Sequence, residues 1–260
     1  MTITNDTALA ITGWGGSHVR QAVILAGGQA SRLRPYTDHV PKALVEVAGR
    51  PIFEHQAHWL AAEGIEEVVI SCGYRADVLR EYVAANRLPL HVRVVVEDEP
   101  LGRGGGLKYA AAHLPFPGER WAGLNGDILT RFSLRDLARA HVERDALATL
   151  AVTPLKSPYG IVEMTHSDRV TSFTEAPVLP HWINAGVYLF EPEVTALLPD
   201  LGDHEDTTFP ELAREGRLSA YRINGYWRGV DNAKDLKTAT KEITAFGWVQ
   251  AVVAQGVFRK

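Results

Sequence analysis

The sequence predicts an α/β protein with an open, mostly parallel β-sheet and helices on both of its faces. Apolar runs that end in glycine or a polar residue, such as residues 21–27, are typical of parallel strands that are buried on both sides. Segments with helical spacing follow these runs, so that strand and helix alternate as far as Pro154. After Pro154 several short strands follow one another, which predicts an antiparallel or mixed insertion that covers the first sheet.

The alternating part begins with a strand at residues 21–27 and a helix at 52–64, which Pro51 opens and Gly64 closes. Its other strands are expected at 67–73, 91–97, 120–127 and 146–154, and its other helices at 75–86, 107–114 and 134–145. In the second part, strands are expected at 160–164, 169–173, 182–190 and 219–223, and helices at 191–198, 208–215 and from about 232 onward. The predicted domains are a loose leader over 1–19, one domain over 20–245 with a lid at about 155–230, and a tail over 246–260.

Composition and charge exclude several classes of protein. Hydrophobic residues make up 46% of the chain, which is ordinary globular composition, and the net charge of −4 gives no basic excess for nucleic acid or an acidic membrane. Cys72 is the only cysteine, which excludes an internal disulfide and fits a reducing compartment. No apolar run reaches the roughly 18 residues of a membrane span, and residues 1–19 lack the pattern of a signal peptide. A cytoplasmic protein is therefore expected.

The loop that follows the first strand, residues 25–51, carries the clearest indication of function. Gly27 and Gly28 let a ligand approach the backbone, whose N–H groups can bind phosphate oxygens. Arg32 and Lys42 add positive charge that can neutralise a triphosphate. The alternative is a tight turn with solvated arginines. The loop is not a Walker A loop, because no G-K-[ST] follows, and it lacks the G-x-G-x-x-G of dinucleotide sites.

Two acidic residues and a second glycine-rich segment add to this indication. Asp127 ends the strand predicted at 120–127, and Asp231 follows the aromatic residues of 225–227. Alone, Asp127 would be taken for a turn residue. Two carboxylates that converge on one oxygen-rich site can hold Mg²⁺, which takes one or two carboxylates together with substrate phosphates. Residues 97–111 are predicted to be a glycine-rich loop that opens a helix at the end of another strand.

The order of the motifs resembles the sugar-1-phosphate nucleotidyltransferase family, and in particular its mannose-1-phosphate and heptose-1-phosphate guanylyltransferases. The likeness covers about residues 20–240. It implies a Rossmann-like sheet with a sugar-binding lid, and a reaction that joins a nucleoside triphosphate to a sugar 1-phosphate and releases pyrophosphate. The matching motifs are LAGG-x-x-x-RLRP (25–35), PKAL (41–44), EPLG-x-GG (99–105), NGD (125–127), YG (159–160), F-x-E (173–175), NAGVYLF (184–190) and GYW (225–227).

The resemblance also implies a role for individual residues. Arg32 would stabilise the leaving pyrophosphate, Lys42 the α-phosphoryl group, and Asp127, the third catalytic residue, would bind Mg²⁺ together with Asp231. The implied nucleotide-binding residues are Leu25, Ala26, Gly27, Gly28, Arg32, Lys42, Glu97 and Gly102. The implied sugar-phosphate-binding residues are Gly160, Glu175 and Asn184.

Glu97 is the candidate for reading the base, because it stands five residues before Gly102. A carboxylate only accepts hydrogen bonds, and guanine offers two adjacent donors, N1–H and N2–H₂. Uracil and thymine offer one N–H between two carbonyls, which suits an amide better. The sequence therefore favours GTP, with a uridylyl-, thymidylyl- or adenylyltransferase of the same family as the alternative. The acceptor stays open among hexose, heptose and cyclitol phosphates.

Four positions depart from the family pattern. Ala30 replaces a glycine, which is tolerable unless the position needs a positive φ. Arg103 replaces a small hydroxyl residue, and Ala176 replaces the lysine that contacts the sugar phosphate. Arg103 would supply the missing charge only if it reaches the site. Gly229 stands where many members have a metal-binding aspartate, and Asp231 follows two residues later, as the asparagine does in branches with G-V-N.

Two other functions are compatible with parts of the pattern. A sensor that binds a nucleotide sugar without catalysis would explain Ala176 and Gly229, but Arg32 and Lys42 argue against it. A glycosyltransferase would carry a D-x-D metal motif, which Asp127 and its neighbours do not form. The apolar stretch 246–258 either packs on the domain or seals a subunit contact, so a homodimer is expected.

Overall fold

The computed structural model describes residues 18–247. The strands are β1 (Gln21–Leu25), β2 (Glu46–Val47), β3 (Arg50–Pro51), β4 (Glu67–Cys72), β5 (His91–Val96), β6 (Trp121–Asn125), β7 (Ile128–Arg131), β8 (Ala148–Lys156), β9 (Ile161–Met164), β10 (Val170–Thr174), β11 (Val178–Phe190), β12 (Leu218–Arg222) and β13 (Tyr226–Gly229). The helices are α1 (Ile52–Ala62), α2 (Ala76–Ala85), α3 (Gly102–Ala111), α4 (Leu134–Glu143), α5 (Val194–Leu197), α6 (Thr208–Arg214) and α7 (Ala233–Ala245). The first 17 residues of the predicted leader, and the predicted tail from residue 248, lie outside the described part.

Seven strands form the central sheet, in the order β12–β8–β11–β6–β1–β4–β5. β11 runs antiparallel to both of its neighbours, and the other pairs are parallel. The predicted α/β class with a mostly parallel sheet is confirmed. No helix of residues 18–247 has both the length and the apolar composition that crossing a membrane requires.

Alternating residues of β1 show why helices cover both faces of the sheet. Ile24 is fully buried in a cluster with Phe53 of α1 and Leu79 of α2. Its neighbour Val23 belongs to a different cluster, with Leu107 of α3. Successive residues of a strand point to opposite faces, so a continuous apolar run needs a helix layer on each side. Full burial of a side chain such as Leu107 stabilises the fold by about 1.5–3 kcal/mol.

A third apolar cluster ties the C-terminal helix to the loop after β1. Leu236 and Ile243 of α7 pack with Val230, and with Leu33 and Ile52 from the first third of the chain. The segment that carries Asp231 is thereby held against the loop that carries Arg32 and Lys42.

The segment 155–230, predicted as a lid, is divided among three sheets. β9 and β10 pair only with each other, and Phe173 of β10 is 64% exposed. β11 and β12 lie in the central sheet, because β11 pairs with β6 and β8 and β12 pairs with β8. β11 begins at Val178, before the predicted start at residue 182. β7 and β13 form a small antiparallel pair that was not predicted, since its strands are short and nearly 100 residues apart.

Candidate active site

A cavity of about 710 Å³ opens at the carboxyl ends of β1, β5 and β6, the edge at which open α/β sheets bind ligands. The predicted site residues that line it are Leu25, Ala26, Gly27, Gly28, Arg32, Lys42, Glu97, Gly102, Asp127, Asn184 and Asp231. Gly160 and Glu175 do not line it; they lie beside each other at the base of the β9–β10 pair. Asn125 and Trp227, which belong to the predicted motifs NGD and GYW, also line the cavity.

The loop after β1 begins with two backbone hydrogen bonds. The Ala26 N–H donates to Ser71 O at 2.7 Å, and the Gly126 N–H donates to Leu25 O at 2.8 Å. The second bond brings the turn that contains Asp127 against the start of the loop. A side chain at Gly126 would collide with the Leu25 carbonyl group, so this close approach requires glycine.

Ala30 adopts a left-handed conformation, with φ 46° and ψ 47°. Its carbonyl oxygen accepts hydrogen bonds from the Leu33 N–H at 2.9 Å and from Thr37 Oγ1 at 3.1 Å, which fix the turn into the 3₁₀ helix Ser31–Leu33. The left-handed region costs an L-residue roughly 1–2 kcal/mol. The departure at Ala30 therefore falls at a position with positive φ, where glycine is the unstrained residue.

The predicted cations and carboxylates converge on the cavity. Lys42 Nζ donates to Asp127 Oδ2 at 2.8 Å and to Asp231 Oδ1 at 3.2 Å. Arg32 Nη2 lies 3.4 Å from the same Asp231 Oδ1, and the Arg32 side chain is 75% exposed. Lys42 is only 15% exposed. One ammonium group is therefore shared by two carboxylates at the bottom of the cavity, and an exposed guanidinium lies at its mouth.

The backbone holds each carboxylate in place. Asp127 lies in the turn between β6 and β7, where its carbonyl oxygen accepts from the Val230 N–H at 2.9 Å. Asp231 directly precedes Asn232, whose side chain caps α7 by accepting from the N–H groups of residues 234 and 235. The Asp231 N–H donates to Asp235 Oδ2 at 3.2 Å. An N-cap of this kind stabilises a helix by about 1 kcal/mol, and here it also orients Asp231.

The donor set at this point fits a magnesium ion that is held jointly with a phosphate ligand. Within residues 18–247 no group of three or more His, Cys, Asp or Glu side chains is arranged to hold a metal ion. Asp127 and Asp231 supply two carboxylates, and Mg²⁺ commonly takes one or two carboxylates with phosphate oxygens and water. Lys42 lies between them.

Glu97 follows β5 and forms part of the cavity wall. Its Oε1 accepts from Ser71 Oγ at 2.6 Å, and its Oε2 accepts from the Leu101 N–H at 3.1 Å. Each carboxylate oxygen has a further lone pair, so both can still accept from a ligand. The two internal bonds fix the orientation of the carboxylate. Base reading by Glu97 stays a prediction.

The predicted helix after the glycine-rich loop is confirmed, but α3 begins at Gly102, five residues before the predicted start at residue 107, so the glycines of 102–106 are helical and not part of the loop. A Cβ at Gly102 would lie 2.7 Å from the Gly202 carbonyl oxygen, and one at Gly104 would lie 2.6 Å from Cγ of Pro199. The Gly202 carbonyl accepts from the Gly104 N–H at 2.8 Å. The glycines therefore let α3 pack backbone to backbone on the loop between α5 and α6, and this contact outweighs the low helix propensity of glycine.

That loop, residues 198–207 (the α5–α6 loop), brings one unpredicted acid, Asp203, to the cavity and a second, Glu205, to Arg103 beside it. Arg103 Nη2 donates to Asp203 Oδ2 at 2.6 Å, and Arg103 Nη1 donates to Glu205 Oε1 at 2.9 Å. The hydrogen bonds from Arg103 lower the pKa of Asp203, whereas burial raises the pKa of Glu205. Asn184 donates through Nδ2 to Tyr188 Oη at 2.9 Å. The one hint in the sequence was an arginine in place of a small residue.

The comparison with family models shows where the chain belongs. The model described as nucleotidyl transferase matches residues 21–245, and the chain is a member of the nucleotidyl transferase family. The family resemblance predicted from the motifs is confirmed.

Relatives and solved structures add detail. Mannose-1-phosphate guanyltransferase of Neurospora crassa is 34% identical, and the protein of that name from Emericella nidulans is 36% identical, each over 231 residues and 85% of this chain. The chain spans 63% of the length of these relatives. HddC from Yersinia pseudotuberculosis, at 23% identity, has a TM-score of 0.70 over 86% of this chain and all of HddC, which shows the same fold. HddC has also been crystallised with GMP-PN.

Proposed function

We propose that the protein is a sugar-1-phosphate guanylyltransferase, which joins the GMP part of GTP to a sugar 1-phosphate or a sugar-like 1-phosphate and releases pyrophosphate. The observation that carries this proposal is the identity of 34–36% with mannose-1-phosphate guanyltransferases across 85% of the chain. The GMP-PN complex of HddC, which shares the fold, agrees with a guanine nucleotide.

The reaction needs no protein nucleophile. A phosphate oxygen of the acceptor attacks the α-phosphorus of GTP, the bond from the α-phosphorus to the bridging oxygen breaks, and pyrophosphate leaves with that electron pair. Positioning and charge neutralisation supply most of the acceleration in such transfers. In this proposal Lys42 neutralises charge at the α-phosphoryl group, and Arg32, at the mouth of the cavity, stabilises the negative charge of the leaving pyrophosphate.

Magnesium is the proposed cofactor. Asp127 and Asp231 would hold it, and it would neutralise phosphate oxygens as a Lewis acid. Lys42 would then turn from the carboxylates to the α-phosphoryl group, a movement of one flexible side chain. Before nucleotide binds, the attraction between the positive Lys42 and the two negative carboxylates holds these three side chains together.

The proposal is tested by assaying every pair of nucleoside triphosphate and sugar 1-phosphate, with the release of pyrophosphate as the measured signal. GTP with one acceptor such as mannose 1-phosphate, a heptose 1-phosphate or a cyclitol phosphate should give the highest kcat/KM. The Asp127→Asn variant is the control for contaminating activity. Preference for another nucleotide would overturn the guanylyl assignment, and absence of pyrophosphate release with every pair would support the sensor instead.

Location and assembly are proposed on separate grounds. A cytoplasmic location is proposed because Cys72, the single cysteine of the sequence, excludes an internal disulfide, which fits a reducing compartment. Cys72 is buried, and burial raises the pKa of its thiol to about 11, which makes the thiol unreactive. A homodimer is proposed from the apolar sequence near the C-terminus, and sedimentation analysis of the full chain would show whether it forms.

A further inference from the structure

Arg103 distinguishes the cavity of this chain from the family pattern. It lies in the first turn of α3, on the cavity wall, and its side chain is 49% exposed. Its backbone N–H and its guanidinium both bind Asp203, at 2.8 Å and 2.6 Å, and the guanidinium also binds Glu205. One residue therefore fixes two acids of the α5–α6 loop, Asp203 and Glu205, to the beginning of α3.

This arrangement argues against a role for Arg103 in binding the acceptor phosphate. The single positive charge of Arg103 is balanced by two carboxylates, Asp203 and Glu205, so the group as a whole is negative. A phosphate dianion would have to displace both carboxylates from the guanidinium, and no metal ion is proposed to take them over here, as Mg²⁺ would take over the carboxylates bound to Lys42. The lysine missing at Ala176 is thus not replaced by a free charge at Arg103.

The same arrangement suits hydroxyl groups. In the described part of the chain, two of the five N–H groups of the Arg103 guanidinium are used by the carboxylates, and the half-exposed side chain leaves others open to a ligand. Asp203 lines the cavity beside it and offers acceptors. Asn184 Nδ2 lies 3.4 Å from Glu205 Oε1, which connects this group to a residue predicted to bind the sugar. A ring hydroxyl can accept from Arg103 and donate to Asp203 at once.

We propose that Arg103 is a specificity-determining residue for the acceptor: with Asp203 it binds hydroxyl groups of a polyhydroxylated ring, and it does not bind the acceptor phosphate. This inference rests on the proposed guanylyltransferase function. It predicts that Arg103 acts on the sugar part of substrate and product and leaves the nucleotide part unchanged.

The first test measures binding of GDP and of GDP-mannose by calorimetry. Wild type should bind GDP-mannose more tightly than GDP. Arg103→Thr, which restores a small hydroxyl residue, should weaken GDP-mannose about 10- to 100-fold and leave GDP within about twofold, the range expected for a lost bond to a charged group. Arg103→Lys keeps the charge but cannot span both acids, so it should fall between the two.

Lys108→Met is the matched control. Lys108 is on the same helix and pairs with Asp200 of the same loop at 2.8 Å, but it does not line the cavity. It should bind both ligands as wild type does. Thermal unfolding of each variant checks the fold.

The second test uses turnover with GTP and deoxy analogues of mannose 1-phosphate. At least one analogue that wild type uses poorly should lose its disadvantage in Arg103→Thr, because the partner of the absent hydroxyl is gone. Equal weakening of GDP and GDP-mannose in Arg103→Thr, or unchanged discrimination among the analogues, would overturn the inference. A wild type that binds neither GDP nor GDP-mannose would instead overturn the proposed function, and this inference with it.

Discussion

Lys42 Nζ lies 2.8 Å from Asp127 Oδ2 and 3.2 Å from Asp231 Oδ1, so that one ammonium group bridges two carboxylates whose positions in the chain are about 100 residues apart. These two contacts of Lys42 join the loop after β1 to the two turns, at Asp127 and Asp231, on the other side of the cavity. The same three groups are proposed to carry the α-phosphoryl group and the metal.

The variant Asp127→Asn tests the proposed metal ligand. The amide is nearly isosteric with the carboxylate, so the fold should be retained. The negative charge that attracts Mg²⁺ and Lys42 is lost. We expect kcat to fall at least about 100-fold, the effect of losing one electrostatic contact of about 3 kcal/mol in the transition state. Turnover at saturating Mg²⁺ is the measurement, and a near-normal rate would exclude Asp127 as a ligand.

Lys42→Met should change metal binding in the absence of nucleotide. In wild type the ammonium group lies between the carboxylates and repels a divalent cation, so Mn²⁺, which binds the same oxygen ligands as Mg²⁺, should bind weakly. Without Lys42 we expect Mn²⁺ affinity to rise about 10-fold, measured by electron paramagnetic resonance of free Mn²⁺. Arg32→Met is the comparison, since the exposed Arg32 should have a smaller effect. Equal affinity in wild type and Lys42→Met would contradict this role.

Glu97→Gln tests base selection. A glutamine turns one donor toward guanine's N–H groups, and bonds to a charged group contribute about 1.5–3 kcal/mol. We expect kcat/KM for GTP to fall about 10- to 100-fold and the values for UTP and dTTP to change less or rise. Ser71→Ala is the control, because it removes the internal partner of Glu97 and keeps the carboxylate. If the ratios among the four triphosphates stay constant in Glu97→Gln, the base is read elsewhere.

Ala30→Gly should stabilise the protein. The left-handed conformation of Ala30 costs roughly 1–2 kcal/mol, and the greater freedom of glycine in the unfolded chain offsets about half of the gain. We expect the free energy of unfolding to rise by about 0.5–1 kcal/mol, measured by urea denaturation. Ala84→Gly, at an exposed position inside α2, should lower it by a similar amount. A decrease for both variants would show that Ala30 is not strained.

His204 predicts how stability depends on pH. It is fully buried against Phe209 and Tyr188, and burial lowers its pKa from 6.5 to about 4. Its contribution to stability is complete above pH 6.5 and is lost as the pH falls toward 4, because the unfolded chain takes up the proton first. This amounts to about 3 kcal/mol.

In His204→Phe, which keeps the aromatic contacts, the decrease in unfolding free energy between pH 8 and pH 5 should be smaller than in wild type. Neither ring nitrogen of His204 has a hydrogen-bond partner among residues 18–247, so the substitution removes no hydrogen bond, although Nδ1 lies 3.8 Å from Glu205 Oε2. Parallel pH profiles of the two proteins would rule out His204 as the cause.

Local patterns in the sequence were sufficient for the alternating strands and helices. The run at 67–73 corresponds to β4, Glu67–Cys72, and the helical spacing at 75–86 corresponds to α2, Ala76–Ala85. In both cases the spacing of apolar residues along the segment matches the face that the strand or helix buries, so the pattern is visible in the local sequence. The cavity residues around Asp127 were found through motifs for the same reason, since each motif lies within a few residues.

Features that depend on distant contacts could not be predicted. The partner of Arg103 is Asp203, exactly 100 residues further along, in a loop with no motif. The start of α3 at Gly102 depends on hydrogen bonds to the Gly202 carbonyl group. The low helix propensity of the glycines predicted a later start, because it does not include this distant contact. The positive φ of Ala30 could not be predicted from alanine itself, which usually has a negative φ. Only the glycine that the family pattern has at this position indicated it.

The backbone contact between the first turn of α3 and the α5–α6 loop has a consequence for protein engineering. Because the glycines of the helix touch backbone and proline atoms of the loop, they cannot be replaced by larger residues while the loop stays as it is. A graft of a helix without these glycines, made to change the proposed sugar specificity, must therefore carry both segments from the same donor sequence. A chimera with only one of them would meet steric collisions at the seam before any new specificity could be measured.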